Sequence, residues 1–142
     1  MATIERSFFI KTPPERVFAF LEDHANDPQW LPGLVDSRNF TGESTAYRWE
    51  WTFKMAGISF DGTGQVLEHD PPRRHVVETR GGIVSTWAWT LEPEGDGTRG
   101  SLRMEYTIPV TALGKLAERL LLSQNEKSAE QAIANLQRIL GE

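Results

Sequence analysis

The sequence predicts an α+β fold in which seven antiparallel strands pack on a long C-terminal helix, with two short helices after the first strand. One β-rich segment begins the chain, six more follow with only short turns between them, and the last thirty residues or so are helix-forming. Consecutive hairpins build an antiparallel meander, because each turn reverses the chain. We expect residues 1–142 to form one domain, since that length can bury a core of its own.

The first strand and the two short helices are predicted from residues 3–32. Residues 3–11 alternate between apolar and polar side chains, which is typical of a strand. Thr12 is followed by two prolines and by Glu15, a pattern that favours a helix start capped by Thr12. Asn26 or Asp27 is expected to cap a second short helix that runs through Trp30 to Pro32.

Six further strands are predicted at residues 34–41, 46–55, 58–69, 74–80, 83–92 and 101–108. The segments between them are short and rich in glycine, aspartate and proline. Such segments are typical of hairpin turns.

The last helix is predicted at residues 112–140, where Gly114 is the single glycine and proline is absent. Its apolar side chains form two stripes, which lie about 150° apart at about 100° per residue. The stripes are Leu113, Leu116, Ala117, Leu120 and Leu121, and then Ala129, Ala132, Ile133, Leu136 and Leu140. We expect the second stripe to pack on the sheet and the first to cover an opening or a partner, with a bend at residues 122–126. The alternative is one core helix with a local irregularity.

This order of elements resembles the helix-grip fold of the START-like, or SRPBCC, superfamily, and closest in style are its polyketide cyclase/dehydrase-type members. Three segments carry the resemblance: residues 10–18 (IKTPPERVF), 27–33 (DPQWLPG) and 68–74 (EHDPPRR). The resemblance implies a curved sheet that grips the last helix, with a cavity between them. It implies less about function, because this fold hosts binding proteins, transfer proteins, cyclases and chaperone cofactors.

Strand alternation predicts which side chains face that cavity. A two-residue turn at Ala56-Gly57 places Trp51 opposite Gly62 and Trp49 opposite Gly64. A two-residue turn at Gly81-Gly82 places Glu78 opposite Ser85. A three-residue turn at residues 70–72 is preferred, because it brings all four central tryptophans to one face and exposes none of them.

The predicted ligand-binding face is aromatic, with one carboxylate and one guanidinium that would pair with each other. Its members are Trp49, Trp51, Phe53, Phe60, Glu78, Arg80, Trp87, Trp89, Met104 and Tyr106. The alternative is a solid core of rings, with Glu78 and Arg80 at a solvated end of the sheet.

Composition excludes several classes of function. The net charge of −5 argues against binding to nucleic acid by bulk charge. The absence of cysteine excludes disulfides and thiol chemistry. No apolar run reaches the roughly 20 residues that span a bilayer, and the first residues lack a signal-peptide pattern. We therefore expect a cytoplasmic protein without integral membrane association.

Residues that carry chemistry are few. His24, His69 and His75 lack helical metal-ligand spacing, so no metal and no cofactor are predicted. No serine has an evident histidine partner, and the catalytic residues stay unknown. For proton transfer, the only candidates are Glu78, Arg80, Tyr106 and His24.

The sequence supports three functions of different classes. The first is binding or transport of a small hydrophobic molecule, lipid-like or resembling an aromatic polyketide, with no chemistry required. The second is a cyclase, dehydrase or aromatase that uses the same cavity. The third is a protein-interaction module or homodimer through Leu113, Leu116 and Leu120.

Overall fold

A computed structural model describes residues 2–55, 57–81, 84–107 and 114–141, and the side chains of all of these except residues 2, 55, 114–122, 124 and 125. The strands are β1 (Ala2–Ile10), β2 (Leu34–Thr41), β3 (Arg48–Met55), β4 (Ile58–Asp70), β5 (Arg74–Gly81), β6 (Val84–Glu94) and β7 (Gly97–Thr107). The helices are α1 (Pro14–Glu22), α2 (Asp27–Trp30) and α3 (Gly114–Gly141). The predicted elements and their order are confirmed.

The seven strands form one antiparallel sheet in the order β1-β7-β6-β5-β4-β3-β2. From β2 to β7 each strand pairs with the next one along the chain, and β1 completes the sheet by pairing with β7 from Ala2–Tyr106 to Ile10–Thr98. The β6–β7 turn is tighter than predicted, because Glu94 already pairs with Gly97 and β7 therefore begins before residue 101.

The C-terminal half of α3 packs on the sheet as predicted. All five members of its second apolar stripe are buried, namely Ala129, Ala132, Ile133, Leu136 and Leu140. Ala132, Ile133, Leu136 and Leu140 share a core with α1, β1 and β6. This half of the helix therefore holds the concave side of the sheet in place.

The N-terminal half of α3 carries the first apolar stripe, and the predicted bend lies at its end. The structure has α3 as one uninterrupted helix from Gly114 to Gly141, so the helix does not break at residues 122–126. Leu113 lies outside the described residues, and the side chains of Leu116 and Leu120 lie outside the described side chains. The covering and homodimer roles of this stripe stay predictions.

Thr12 does not cap α1, and that prediction is wrong. The cap position is Pro13, and no side chain bonds to the first turn. The Thr12 hydroxyl instead donates to the Leu140 carbonyl, and the Thr12 carbonyl accepts from Thr98 Oγ1 at 2.6 Å. All of these groups are buried, so Thr12 supplies a partner for one of the carbonyls that the end of α3 leaves free.

Candidate functional site

A cavity of about 130 Å³ lies between the concave face of the sheet, the α2 segment and α3. Its wall is mainly aromatic and aliphatic, with a few polar side chains. The lining residues are Leu21, His24, Asp27, Trp30, Leu31, Pro32, Leu34, Trp49, Trp51, Phe53, Val77, Thr79, Ser85, Trp87, Trp89, Met104, Tyr106, Ser128 and Ala129. The concave side is therefore open in part, and is not a solid core.

Seven of the ten predicted ligand-binding residues line this cavity: Trp49, Trp51, Phe53, Trp87, Trp89, Met104 and Tyr106. Phe60 lies beside the wall, where it pairs with Phe53 across β3 and β4. Whether these residues bind a ligand stays a prediction, but the structure brings them together.

Glu78 and Arg80 do not line the cavity, and their predicted inward orientation is wrong. They do pair with each other, as predicted for two inward charges, but on the outer side, where the Arg80 side chain is 71% exposed. Their neighbours Val77 and Thr79 take the inward positions, because Val77 pairs with Trp87 and Thr79 with Ser85.

The wrong orientation of β5 arises from two differences between the predicted and the observed strand pairing, one on each side of β5. The turn between β4 and β5 has the predicted odd length, although Asp70 pairs with Arg74 and the turn lies one residue later. A bulge at Leu67, between the pairs Val66–Val77 and Glu68–Val76, then inverts the faces of β5. In the β5–β6 pairing, Glu78 lies opposite Thr86 and not opposite Ser85 as predicted. This shift of one residue inverts the faces a second time, between β5 and β6. The tryptophans of β6 therefore face the cavity as predicted, and only the residues of β5 are inverted.

Two tryptophans of β3 lie flat over glycines of β4. The predicted pairs Trp51–Gly62 and Trp49–Gly64 are confirmed. A Cβ atom at Gly64 would lie 2.3 Å from the Trp49 ring, so only glycine leaves room for that ring. The two indoles thereby form one side of the cavity wall.

His24 is part of a buried polar cluster that the sequence analysis did not predict. Its Nδ1 lies 2.7 Å from Asp27 Oδ2, and its Nε2 lies 3.2 Å from Nε2 of His75. The imidazole stacks on Trp49 with ring centroids 3.8 Å apart. Because Asp27 accepts a hydrogen bond, His24 Nδ1 carries the proton, and both ring nitrogens of His24 are occupied.

His69 and His75 lie close together, with ring centroids 6.2 Å apart. They occupy different surroundings. His69 Nε2 lies 2.7 Å from Glu22 Oε2 near the surface, whereas His75 is buried and its Nδ1 has no partner among the described residues. In the described part of the chain, no group of three or more His, Cys, Asp or Glu side chains is arranged to hold a metal ion.

Burial shifts the pKa of two of these groups. It raises the pKa of the Asp27 carboxyl above its ordinary value, and His24 and Trp30, which lower it, offset only part of that effect. It lowers the pKa of the His75 imidazole to about 3, with further contributions from His24 and His69. His75 is therefore neutral at neutral pH.

The pKa of His75 predicts how stability changes with pH. Unfolded His75 takes up a proton below its ordinary pKa of about 6.5, whereas the folded form does so only near 3. The unfolded state then binds more protons, so this residue destabilises the fold by up to about 1.4 kcal/mol for each pH unit below 6.5. We expect His75→Gln to lose this slope in urea unfolding measured between pH 4 and 7.

Asp27 also contributes to the pH dependence of stability, with the opposite sign to His75. This contribution cancels when wild type is compared with His75→Gln. The raised pKa of that carboxyl makes folding less favourable as pH rises above 3.8, and both proteins retain it. His69→Gln, at a partly exposed position, serves as the control. Parallel stability curves for wild type and His75→Gln would contradict a neutral buried His75.

The polar groups on the β5–β6 side of the cavity bond to one another. Thr79 Oγ1 lies 2.5 Å from Ser85 Oγ, which also accepts from Trp87 Nε1 at 2.9 Å. Thr79 was not among the predicted cavity residues, because the faces of β5 are inverted relative to the prediction. The polar residues on the α2 side of the cavity could have been found from the sequence. His24, Asp27 and Trp30 are spaced three residues apart, and such residues share one face of a helical turn.

A curved sheet that packs on its C-terminal helix over an apolar cavity defines a helix-grip protein. The sequence matches the family described as polyketide cyclase / dehydrase and lipid transport over residues 1–141, and the chain belongs to this family. The resemblance to the START-like, or SRPBCC, superfamily is thereby confirmed. Among curated proteins, no sequence matches this chain.

Solved structures share the fold. A protein from Thermus thermophilus superposes with a TM-score of 0.80 at 23% identity, over 96% of this chain and 95% of that one. The Zhui aromatase/cyclase from Streptomyces superposes with a TM-score of 0.81 at 14% identity, over 98% of this chain and 93% of that one. Ara h 8.0201 superposes with a TM-score of 0.66 at 12% identity, over 95% of this chain and 97% of that one.

Among the described residues, no helix is long and apolar enough to cross a membrane.

Proposed function

We propose that this protein binds and carries a small hydrophobic molecule, lipid-like or aromatic, in its cavity. The observation that carries the proposal is the composition of the cavity wall. Most of its side chains are apolar or aromatic, several of them tryptophans, and the few polar groups include one set on the α2 side and one on the β5–β6 side. Ligand sites in proteins are usually built in this way, because apolar walls supply affinity and a few polar groups supply orientation. The family description, which includes lipid transport, supports the proposal.

The size of the cavity limits the ligand. Its volume of about 130 Å³ is close to that of an engineered cavity of about 150 Å³ that takes up benzene. A single ring, or the end of a longer chain, therefore fits without rearrangement. The same comparison argues against a large rigid ligand that would have to be enclosed entirely.

The proposal is tested in two steps. Native mass spectrometry of the purified protein is expected to reveal a co-purified hydrophobic molecule. The stripped protein is then titrated with fatty acids, fatty alcohols and aromatic polyketides while tryptophan fluorescence is followed, because Trp49, Trp87 and Trp89 line the cavity. The absence of both a bound mass and a fluorescence change would contradict the proposal.

Arg80→Ala and Glu78→Gln are matched controls for that titration. Both residues lie on the outer side of β5, so neither substitution should change ligand affinity by more than about twofold. A tenfold loss in either variant would show that the outer side of β5, and not the cavity, contacts the ligand.

Proton transfer to a bound substrate is the second candidate function. The observation that favours it is the Asp27 carboxyl at the cavity wall, whose raised pKa makes it able to hold a proton at a higher pH than an ordinary aspartate. Incubation with β-keto substrates would test it. We expect turnover only if Asp27 takes part, so activity that survives Asp27→Asn would contradict this role.

Three expectations about the whole protein remain proposals. They are a single domain over residues 1–142, a cytoplasmic location, and a homodimer through Leu113, Leu116 and Leu120. Light scattering on a Leu116→Glu, Leu120→Glu variant tests the last of these. An unchanged monomer before and after the substitutions would contradict it.

A further inference from the structure

The polar groups on the α2 side of the cavity are not open to a ligand. His24 has both ring nitrogens occupied, one by Asp27 and the other by His75. The second oxygen of Asp27 and the Nε1 atom of Trp30 are closed off by the side chains around them. A ligand that enters the cavity therefore meets only the apolar faces of these residues.

The hydroxyl groups on the sheet side are bonded within the protein. Ser85 Oγ accepts from Trp87 Nε1 at 2.9 Å and shares a second hydrogen bond with Thr79 Oγ1. Thr79 and Tyr106 are each engaged in a further interaction. These groups fix the wall of the cavity, and a ligand would have to compete with the protein for them.

Ser128 on α3 is the exception among the hydroxyl groups of the wall. It lines the cavity, and its side chain has no hydrogen-bond partner in the described part of the chain. The residue is half-buried, and its Oγ is not among the unpartnered atoms that are closed off from solvent. Because a serine side chain consists only of Cβ and Oγ, a serine in a cavity wall presents its hydroxyl at that wall.

Helical spacing places Ser128 on the side of α3 that faces α2. It stands seven residues before Asn135, which is about two turns, so the two share a face. Asn135 Nδ2 donates to the Trp30 carbonyl at 3.0 Å and holds that face against α2. Leu31 and Pro32, which follow α2, are also half-buried and line the cavity. The hydroxyl of Ser128 therefore lies toward the rim of the cavity, between α3 and the residues after α2.

The charges of the wall restrict what this hydroxyl can bind. Among the described side chains, no lysine or arginine lines the cavity, and the ionisable ones are His24, Asp27 and Tyr106. A carboxylate would enter without a counter-charge, which is costly. An ammonium group would find one Asp27 oxygen bonded to His24 and the other closed off. An uncharged oxygen needs only one donor, and the hydroxyl of Ser128 supplies it.

We propose that Ser128 donates its hydroxyl proton to an uncharged oxygen of the ligand, while the apolar body of the ligand lies among the tryptophan rings. The inference rests on the proposed ligand-binding function and narrows the ligand to neutral ketones, esters and alcohols. Ser128 is then the residue that discriminates these molecules from hydrocarbons and from free acids.

The test uses three ligands of one shape: acetophenone, α-methylstyrene and benzoate. Their binding is measured at pH 7 by NMR titration of the ¹⁵N-labelled protein, in which the indole N–H signals of the cavity tryptophans show where the ligand lies. A plain apolar cavity would prefer α-methylstyrene, because a carbonyl loses its hydrogen bonds to water. We expect acetophenone to bind about fivefold more tightly than α-methylstyrene, and benzoate to bind more weakly than either.

A Ser128→Ala variant assigns the preference to the hydroxyl. We expect about a fivefold loss of acetophenone affinity and no change for α-methylstyrene, since the two ligands differ only in the group that accepts the hydrogen bond. Alanine is the best helix former, so the variant is expected to fold. Ser123→Ala makes the same change on the same helix at an exposed position, and should leave both affinities unchanged.

The outcomes separate the two proposals. If wild type binds these ligands but prefers α-methylstyrene, the polar contact is overturned and the ligand-binding function stands. An acetophenone affinity that Ser128→Ala leaves unchanged, or a loss that is equal for both ligands, would overturn the role of Ser128. Tighter binding of benzoate than of acetophenone would overturn the choice of an uncharged oxygen. Binding of none of the three would contradict the ligand-binding function as well.

Discussion

Ala129→Phe is expected to weaken ligand binding by at least about a hundredfold, the loss that corresponds to about 2.8 kcal/mol. Ala129 is 2% exposed and faces the cavity from α3, where it packs with Met104 and Tyr106. A phenyl ring at this position occupies space comparable to a bound benzene, and the cavity offers only about 130 Å³. Calorimetric titration with a ligand that binds the wild-type protein measures the loss.

Ala134→Phe is the matched control for this substitution. It makes the same change on the same helix, but at an exposed position. It should leave affinity and thermal stability nearly unchanged, whereas Ala129→Phe is also expected to cost about 1–3 kcal/mol of stability through overpacking. Undiminished binding by a folded Ala129→Phe protein would show that the ligand lies elsewhere.

Gly62→Ala is expected to destabilise the fold by about 3 kcal/mol, the upper end of the usual cost of overpacking. A Cβ atom there would lie 2.3 Å from the Arg80 carbonyl oxygen and 2.3 Å from Cζ2 of Trp51. The carbonyl belongs to the neighbouring strand of the sheet and cannot move without disturbing β5. Urea unfolding gives the free-energy change, and near-UV circular dichroism reports any displacement of Trp51.

Two other glycines set the scale for that result. At Gly64 the three atoms nearest to the added atom all belong to the Trp49 side chain and none to a backbone carbonyl, so Gly64→Ala should cost less than Gly62→Ala. At Gly95 nothing lies within 4 Å, and a φ of +58° leaves only the backbone cost of about 1 kcal/mol. A Gly62→Ala protein no less stable than Gly95→Ala would contradict the close approach of β4, β5 and Trp51.

Much of the fold was predictable from local patterns. The β3–β4 pairing was correct to the residue, because strict alternation in β3 and a two-residue turn leave a single register in which its aromatic side chains face inward. The buried stripe of α3 from Ala129 to Leu140 was correct for a similar reason, since helical spacing alone selects one face. The strand alternation of β3 also placed its aromatic side chains in the cavity wall, whereas the tryptophans of β6 were placed there because two register differences cancel.

The orientation of β5 could not be predicted in the same way. Glu78 and Arg80 were placed inside, because the bulge at Leu67 leaves no clear signature in the sequence. Val77 and Thr79 share one face of this strand and the charged Glu78 and Arg80 share the other, but the turn lengths assumed on either side of β5 outweighed that alternation. A single extra residue in β4 therefore inverts the strand, and only the completed sheet determines which of its faces points inward.

Residue type and spacing along the chain were sufficient to predict the order of the elements, the aromatic character of the concave face and the family of this protein. The polar chemistry of the cavity depends instead on contacts between distant parts of the chain. His24 and His75 are 51 residues apart, and they meet only when the segment after α1 packs against β5. Burial then raises the pKa of Asp27, and burial is a property that no stretch of sequence possesses alone.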